Sequence, residues 1–179
     1  MEKKLTEDII LRKVLYGDAS GLAKYGNNER IAVNQRDSYP YPYTIEYARN
    51  WIHYIKQHHD DTRFVIATEN EAIGEIGFIT QPDVHLYSGE VAYWIGEQYW
   101  GQGIATKALK YLINYAFKEK GMKRLYADIL EYNKASCRVL QKCGFQLDGV
   151  MRSHIFKKNR FYDQLVFSLL SDDVASSIH

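Results

Sequence analysis

Two glycines one residue apart, at positions 101 and 103, separate a stretch that reads as a strand from one that reads as a helix. The strand candidate is Glu90-Val91-Ala92-Tyr93-Trp94-Ile95, and the helix candidate runs from about Gly103 to Lys118. The join itself is Gln98-Tyr99-Trp100-Gly101-Gln102-Gly103-Ile104-Ala105-Thr106. Glycine reaches backbone angles that a Cβ forbids. The corner can therefore bend sharply and aim consecutive N–H groups outward at the positive end of the helix dipole. Phosphate is the natural ligand of that arrangement. Because the helix connects this strand to a second one at Arg124–Leu130, the right-handed crossover rule makes the two strands parallel.

The remaining elements follow from periodicity and punctuation. Asp8–Val14 reads as a first strand, and Asp18 as the cap of a short helix from Ala19 to Tyr25. Residues 26–43 look irregular and end in Tyr39-Pro40-Tyr41-Pro42-Tyr43, whose prolines favour an extended path. Thr44 caps a helix of about fifteen residues, in which Tyr47, Ala48, Trp51, Ile52 and Ile55 recur on one face. Arg63–Thr68 and Ala72–Thr80 form a hairpin across Glu69-Asn70-Glu71. Gly121 stops the helix that begins at Gly103. Asn133 caps a short helix that ends at Gly144. Gln146–Phe156 and Arg160–Leu170 pair across a turn at Lys158-Asn159, and a polar tail closes the chain. The expectation is one α+β domain over 1–179 with a mixed sheet.

Composition removes several classes. The chain has 179 residues, 46% hydrophobic and 25% charged, a globular balance. Its 23 basic and 22 acidic residues leave a net charge of +1, without the basic excess of a nucleic-acid binder. No apolar run reaches the roughly 18 residues of a membrane span. Residues 1–8 carry no signal-peptide pattern. Cys137 and Cys143 lie on one helix, which suits neither a disulfide nor a zinc site, and both read as reduced in a cytoplasmic protein. His58-His59-Asp60-Asp61 lacks ligand spacing, so no metal is expected. A homodimer is compatible with the sequence. Fifteen tyrosines suit packing and the lining of a cleft.

The element order, with a Gln-x-x-Gly-x-Gly-x-Ala turn after the fourth strand, resembles the GCN5-related N-acetyltransferases (GNAT). Gln98, Gly101 and Gly103 match the fixed positions of that family's turn. Tyr93-Trp94, Trp100-Gly101-Gln102-Gly103, Asn133-Lys134-Ala135-Ser136 and Gly144-Phe145 narrow the resemblance to the branch that acetylates ribosomal-protein N-termini. It covers nearly the whole chain. The fold it implies is a three-layer α/β/α arrangement on a mixed, mostly antiparallel sheet, splayed between the fourth and fifth strands.

The resemblance implies acetyl-CoA as cosubstrate and a primary amine as acceptor. Pyrophosphate would rest on the amides of Gln102, Gly103, Ile104, Ala105 and Thr106 beyond Gly101. Pantetheine would run beside Trp94 and Ile95 and contact Asn133. A main-chain N–H at Ile95 or its neighbour would steady the oxyanion, an effect worth roughly 3–4 kcal/mol. Ser136 matches the family serine that donates to the departing sulfur; capping of its helix start would also explain it. For a general base, Glu90 on the fourth strand and His154 on the penultimate strand are the candidates. The family's glutamate on that penultimate strand has no counterpart in Val150-Met151-Arg152-Ser153-His154-Ile155. Tyr39, Tyr41 and Tyr43 either wall the acceptor cleft or fill space under their loop. The acceptor is a protein N-terminus or a small amine such as an antibiotic or polyamine. A non-catalytic acyl-CoA-binding module is the competing class. A nucleotide site is not supported, since no Gly-x-x-x-x-Gly-Lys-Ser/Thr is present.

Overall fold

A computed structural model describes residues 2–176. Eight strands form one sheet: β1 (Glu2–Lys4), β2 (Ile10–Lys13), β3 (Arg63–Ala67), β4 (Ala72–Thr80), β5 (Ser88–Ile95), β6 (Arg124–Leu130), β7 (Gln146–Lys157) and β8 (Arg160–Leu170). Their order across the sheet is β1-β2-β3-β4-β5-β6-β8-β7. β5 and β6 run parallel, as the crossover rule requires. The pairs β1–β2, β2–β3, β3–β4, β6–β8 and β7–β8 are antiparallel. The parallel ladder spans Ser88–Arg124, Gly89–Leu125 and Glu90–Tyr126 and ends there, although β6 continues to Leu130. That is the expected splay. The α+β class and the mixed, mostly antiparallel sheet are as the sequence indicated.

Two compact units emerge, residues 1–77 with 93–108 and residues 78–92 with 109–179. In the first, helices α1 (Ala19–Gly26), α2 (Glu29–Ala32) and α3 (Ile45–His58) accompany β1, β2 and β3. Its core is Leu11, Leu22, Ile52, Phe64, Ile66, Ile73 and Ile76, each less than 2% exposed. Thr44 caps α3 by accepting from the Tyr47 N–H at 3.1 Å.

Asp18 does something other than the capping expected of it. Its side chain makes no bond to the start of α1. Both of its oxygens instead accept from the Arg12 guanidinium, at 2.9 and 2.7 Å, and the Leu15 N–H adds a bond at 2.7 Å. A buried carboxylate finds more in a guanidinium fork than in one amide. The stretch expected to be irregular also holds one ordered turn, α2, because the Asn28 side chain accepts from the Arg30 N–H at 2.8 Å.

In the second unit, helix α4 (Ile104–Asn114, which begins in the first unit) widens into a π turn over Tyr115–Glu119. Gly121 at φ +68° ends it, and the Met122 N–H reaches back to the Ala116 carbonyl. Helix α5 (Lys134–Lys142) is closed by Gly144 at φ +90°, where the Phe145 N–H bonds the Leu140 carbonyl. The Lys158-Asn159 turn has both residues at positive φ, 48° and 59°, the geometry of a tight hairpin. The tail begins with a further short helix, α6 (Ser171–Ser176).

Candidate active site

The corner after β5 is built as its glycines indicate. Gly101 and Gly103 both sit at φ +75°, with nothing within 4 Å of where a Cβ would stand. Left-handed backbone costs an L residue roughly 1–2 kcal/mol, so both positions need glycine for conformation. The open space beside them is what a ligand needs. Three bonds hold the corner from within: Tyr99 N–H to the Gly96 carbonyl, Trp100 N–H to Glu97, and the Gln102 amide to the Gln98 carbonyl at 2.9 Å. The helical ladder of α4 starts with Lys107 N–H donating to Gly103 at 3.0 Å. The amides of Ile104 and Ala105, one turn earlier, have no carbonyl behind them to bond. Unbonded amides at a helix start carry partial positive charge.

Around this corner Trp100 is the fastener. Its indole Nε1 donates to the Ile95 carbonyl at 2.7 Å, and the Arg30 guanidinium lies 5.2 Å from its ring centroid. Arg30 also pairs with Glu97, which accepts from the Asn28 amide at 2.7 Å. Sequence reasoning missed this group, because Asn28 and Arg30 lie 69 and 67 residues from Glu97 and share no motif with it.

Trp94 and Ile95 end β5, 5% and 7% exposed. The Trp94 ring faces Tyr39 and Tyr43, each 6.2 Å away between centroids, and Tyr43 meets Tyr39 at 4.8 Å and Tyr47 at 4.9 Å. Two members of the expected tyrosine trio are thus brought together with Trp94. The third, Tyr41, is 56% exposed. Tyr39 donates to the Gly26 carbonyl at 2.8 Å and Tyr47 to the Ser38 carbonyl at 3.1 Å, so their rings are fixed by their hydroxyls. Burial first, and then the charge of Glu75, pushes the phenols of Tyr39, Tyr43 and Tyr47 up.

Glu75 itself is the functional candidate that the sequence reading passed over. Trp94 Nε1 donates to its Oε1 at 3.2 Å, and Arg63 stands 3.7 Å from its Oε2. Desolvation raises its carboxyl above the ordinary range against the opposing pull of Arg63 and the Trp94 bond. A signal was there to read: one acidic residue in an otherwise uncharged strand core, Ala72-Ile73-Gly74-Glu75-Ile76-Gly77-Phe78.

In the second unit Asn133 caps α5, its Oδ1 accepting from the Ser136 N–H at 3.1 Å, and Ser136 is half-buried in the first turn. Glu90 is half-buried and closes the parallel ladder opposite Tyr126. His154 is exposed on β7, where the register with β8 shifts between Met151 and Ile155. Beside it Ser153 stands at φ +50° and donates its N–H to Asp163 at 2.8 Å. Neither Cys137 nor Cys143 is in a disulfide, and burial raises both thiols, Cys143 to about 11. Such thiols are poor nucleophiles. Among the described residues no helix is long and apolar enough to cross a membrane.

Comparison with known proteins agrees with this geometry. The family model of the acetyltransferase (GNAT) domain matches residues 8–146. Uncharacterized N-acetyltransferase p20 of Bacillus licheniformis is 30% identical over 181 residues, covering 98% of this chain and 99% of its own. Spermidine N(1)-acetyltransferase of Escherichia coli is 27% identical over 110 residues, 60% of this chain and 59% of that one. Two solved structures share the fold. Ribosomal-protein-S5-alanine acetyltransferase from Vibrio fischeri has a TM-score of 0.82 at 21% identity, covering 97% of this chain and 98% of that one. RimL, a ribosomal α-N-protein acetyltransferase in complex with coenzyme A, has a TM-score of 0.84 at 20% identity, covering 97% and 99%.

Proposed function

Because this chain belongs to the GNAT family and is an N-acetyltransferase, we propose that its donor is acetyl-CoA and that transfer to a primary amine is direct, within a ternary complex. The observation that carries the reading is the pair of left-handed glycines at the start of α4. Together with the Ile104 and Ala105 amides they fit a diphosphate, and no side chain fills the space beside them. The donor supplies an activated thioester. The protein supplies position, which alone accounts for a large effective molarity. An amine of pKa about 8 is partly neutral at pH 7, so the demand on a base is modest. Ser136, held at the start of α5 by the Asn133 cap, serves as a hydrogen-bond donor to the departing sulfur.

The acceptor is a protein N-terminal α-amine. The ribosomal-protein enzymes that share the fold act on such amines by their names, and the Tyr39–Tyr43 loop suits a peptide. A polyamine is the second reading, favoured by the likeness to spermidine N(1)-acetyltransferase.

Calorimetric titration with acetyl-CoA, ATP and NAD, followed by coenzyme A release with alanine- and serine-initiated peptides, spermidine and aminoglycosides, tests the proposal. Selective acetyl-CoA binding with release on at least one amine is the expected result. Tight binding with no release on any amine would leave an acyl-CoA-binding module in its place.

A further inference from the structure

Two buried ion pairs in the first unit differ in quality. Arg12 and Asp18 meet in a fork at 2.9 and 2.7 Å with a further backbone bond to the carboxylate. Arg63 and Glu75 approach only to 3.7 Å, beyond hydrogen-bond range. Glu75 Oε2 and Arg63 Nε are both enclosed without a hydrogen-bond partner. Enclosed polar atoms in proteins are nearly always bonded, and exceptions call for an explanation. A pair kept for structure repays its desolvation only when its geometry is close and its lone pairs are filled. This one meets neither condition, and 12% of the Glu75 side chain stays open to solvent.

What surrounds the carboxylate suits a small cation. From β5, Trp94 bonds Oε1 and turns its ring toward Tyr39 and Tyr43. From the loop before α3 and from α3 itself come Tyr39 and Tyr43, which face the Trp94 ring, and Tyr47, which meets Tyr43 at 4.9 Å. From β3 comes Arg63, whose stem lies over Gly77, where a Cβ would meet its Cδ at 2.4 Å. Aromatic faces attract ammonium groups, and an unbonded carboxylate oxygen accepts their protons.

We propose that Glu75 is the catalytic proton acceptor for a singly charged primary amine received against Tyr39, Tyr43, Tyr47 and Trp94. The inference rests on the acetyl-transfer reading above. An N–H bond of the ammonium breaks, an O–H bond to Glu75 forms, and the electron pair stays on nitrogen. That pair makes the C–N bond to the acetyl carbon while the C–S pair leaves on sulfur. The nitrogen's second proton goes to that sulfur, and Glu75 returns its own to solvent. Desolvation moves the Glu75 carboxyl up from that of a solvated glutamate, toward that of a stronger base. Arg63 disfavours an ammonium that stays charged beside Oε2 but also lowers the carboxyl, and desolvation outweighs that second effect. Arg63 and Glu75 together carry no net charge, so this pair adds no surplus negative charge that would favour a polycation.

The test compares the full-length wild type with Glu75→Gln on an alanine-initiated tetrapeptide amide, n-butylamine and spermidine. Loss of a positioned base costs roughly 10²–10⁴-fold, and that fall in kcat/KM is expected, with the acid limb of its pH profile abolished. Acetyl-CoA affinity stays within twofold, Glu75→Asp recovers part of the rate, and spermidine is the poorest acceptor. Retention of the acid limb, of more than a third of kcat/KM, or a preference for spermidine overturns the proposal. If Glu75→Gln does not fold, the wild-type Glu75 carboxyl is followed by carbon-13 NMR as n-butylammonium is added. A saturable shift is expected, and none would sink the idea. Failure of the transfer reading looks different, since none of the amines then makes the wild type release coenzyme A, while the NMR titration still scores Glu75.

Discussion

The indole nitrogen of Trp100 donates to the main-chain carbonyl of Ile95 at 2.7 Å, so the glycine corner is fastened to the last residue of the strand it leaves. Five residues separate the two in sequence. Trp100→Phe keeps most of the ring and removes the donor. The loss of one hydrogen bond costs about 1 kcal/mol, less here because Trp100 is 37% exposed. Acetyl-CoA affinity should fall severalfold with little change in melting temperature, which calorimetry and thermal unfolding together will resolve.

Gly103→Val places a β-branched residue at φ +75° and a side chain in the open space beside the corner. Strain of roughly 1–2 kcal/mol leaves the fold standing, while acetyl-CoA affinity drops by at least tenfold. A folded variant with normal affinity would remove the cradle from the account.

Ser136→Ala separates its two roles. Its backbone N–H still bonds Asn133, so α5 keeps its cap and stability is unchanged. Turnover falls more than acetyl-CoA affinity if the hydroxyl serves the leaving sulfur; steady-state kinetics with equal turnover in both proteins would reject that role.

Asp18→Ala leaves the Arg12 guanidinium enclosed without its partner and frees the Leu15 N–H. Breaking a buried pair on one side costs about 3–5 kcal/mol. Urea unfolding should show a loss of that order, and a change below about 1 kcal/mol would mean that the pair behaves as a surface contact.

Asp148 gives the pH dependence in the second unit. The hydrogen bond from Arg124, and then that from Ser168, holds its carboxyl below the usual range. A depressed carboxyl stabilises the fold above its unfolded pKa, about 3.9 for Asp, and that contribution disappears as pH falls through the lower folded value. Wild type and Asp148→Asn should therefore differ at pH 7 and converge at a pH below the depressed folded value. The difference is modest, because the Asp148 side chain is 38% exposed. Parallel unfolding curves at both pH values check it.

Local chemistry made much of this molecule readable. Thr44, Asn133, Gly121 and Gly144 announce helix ends because capping acts within one turn, and the two-glycine corner is legible for the same reason. Asp18 misled because its partner, Arg12, sits on another element, and one guanidinium fork outbids an amide. Strand β1 escaped notice because Glu2-Lys3-Lys4 is polar and exposed, and takes its order from pairing with β2. Glu75 was hidden for a different reason. Its meaning depends on Arg63, Trp94 and three tyrosines that only the folded sheet and loop assemble.

Gly74 also has consequences beyond its own strand. A Cβ there would meet the Trp94 carbonyl oxygen at 2.4 Å and the Ile95 Cα at 2.8 Å, so any larger residue shifts the end of β5. One displacement would then disturb both the Trp94 ring beside Tyr39 and Tyr43 and the Ile95 carbonyl that holds Trp100. On the proposed reading, substitutions that alter acceptor choice are expected in the loop at 39–43 and not at Gly74.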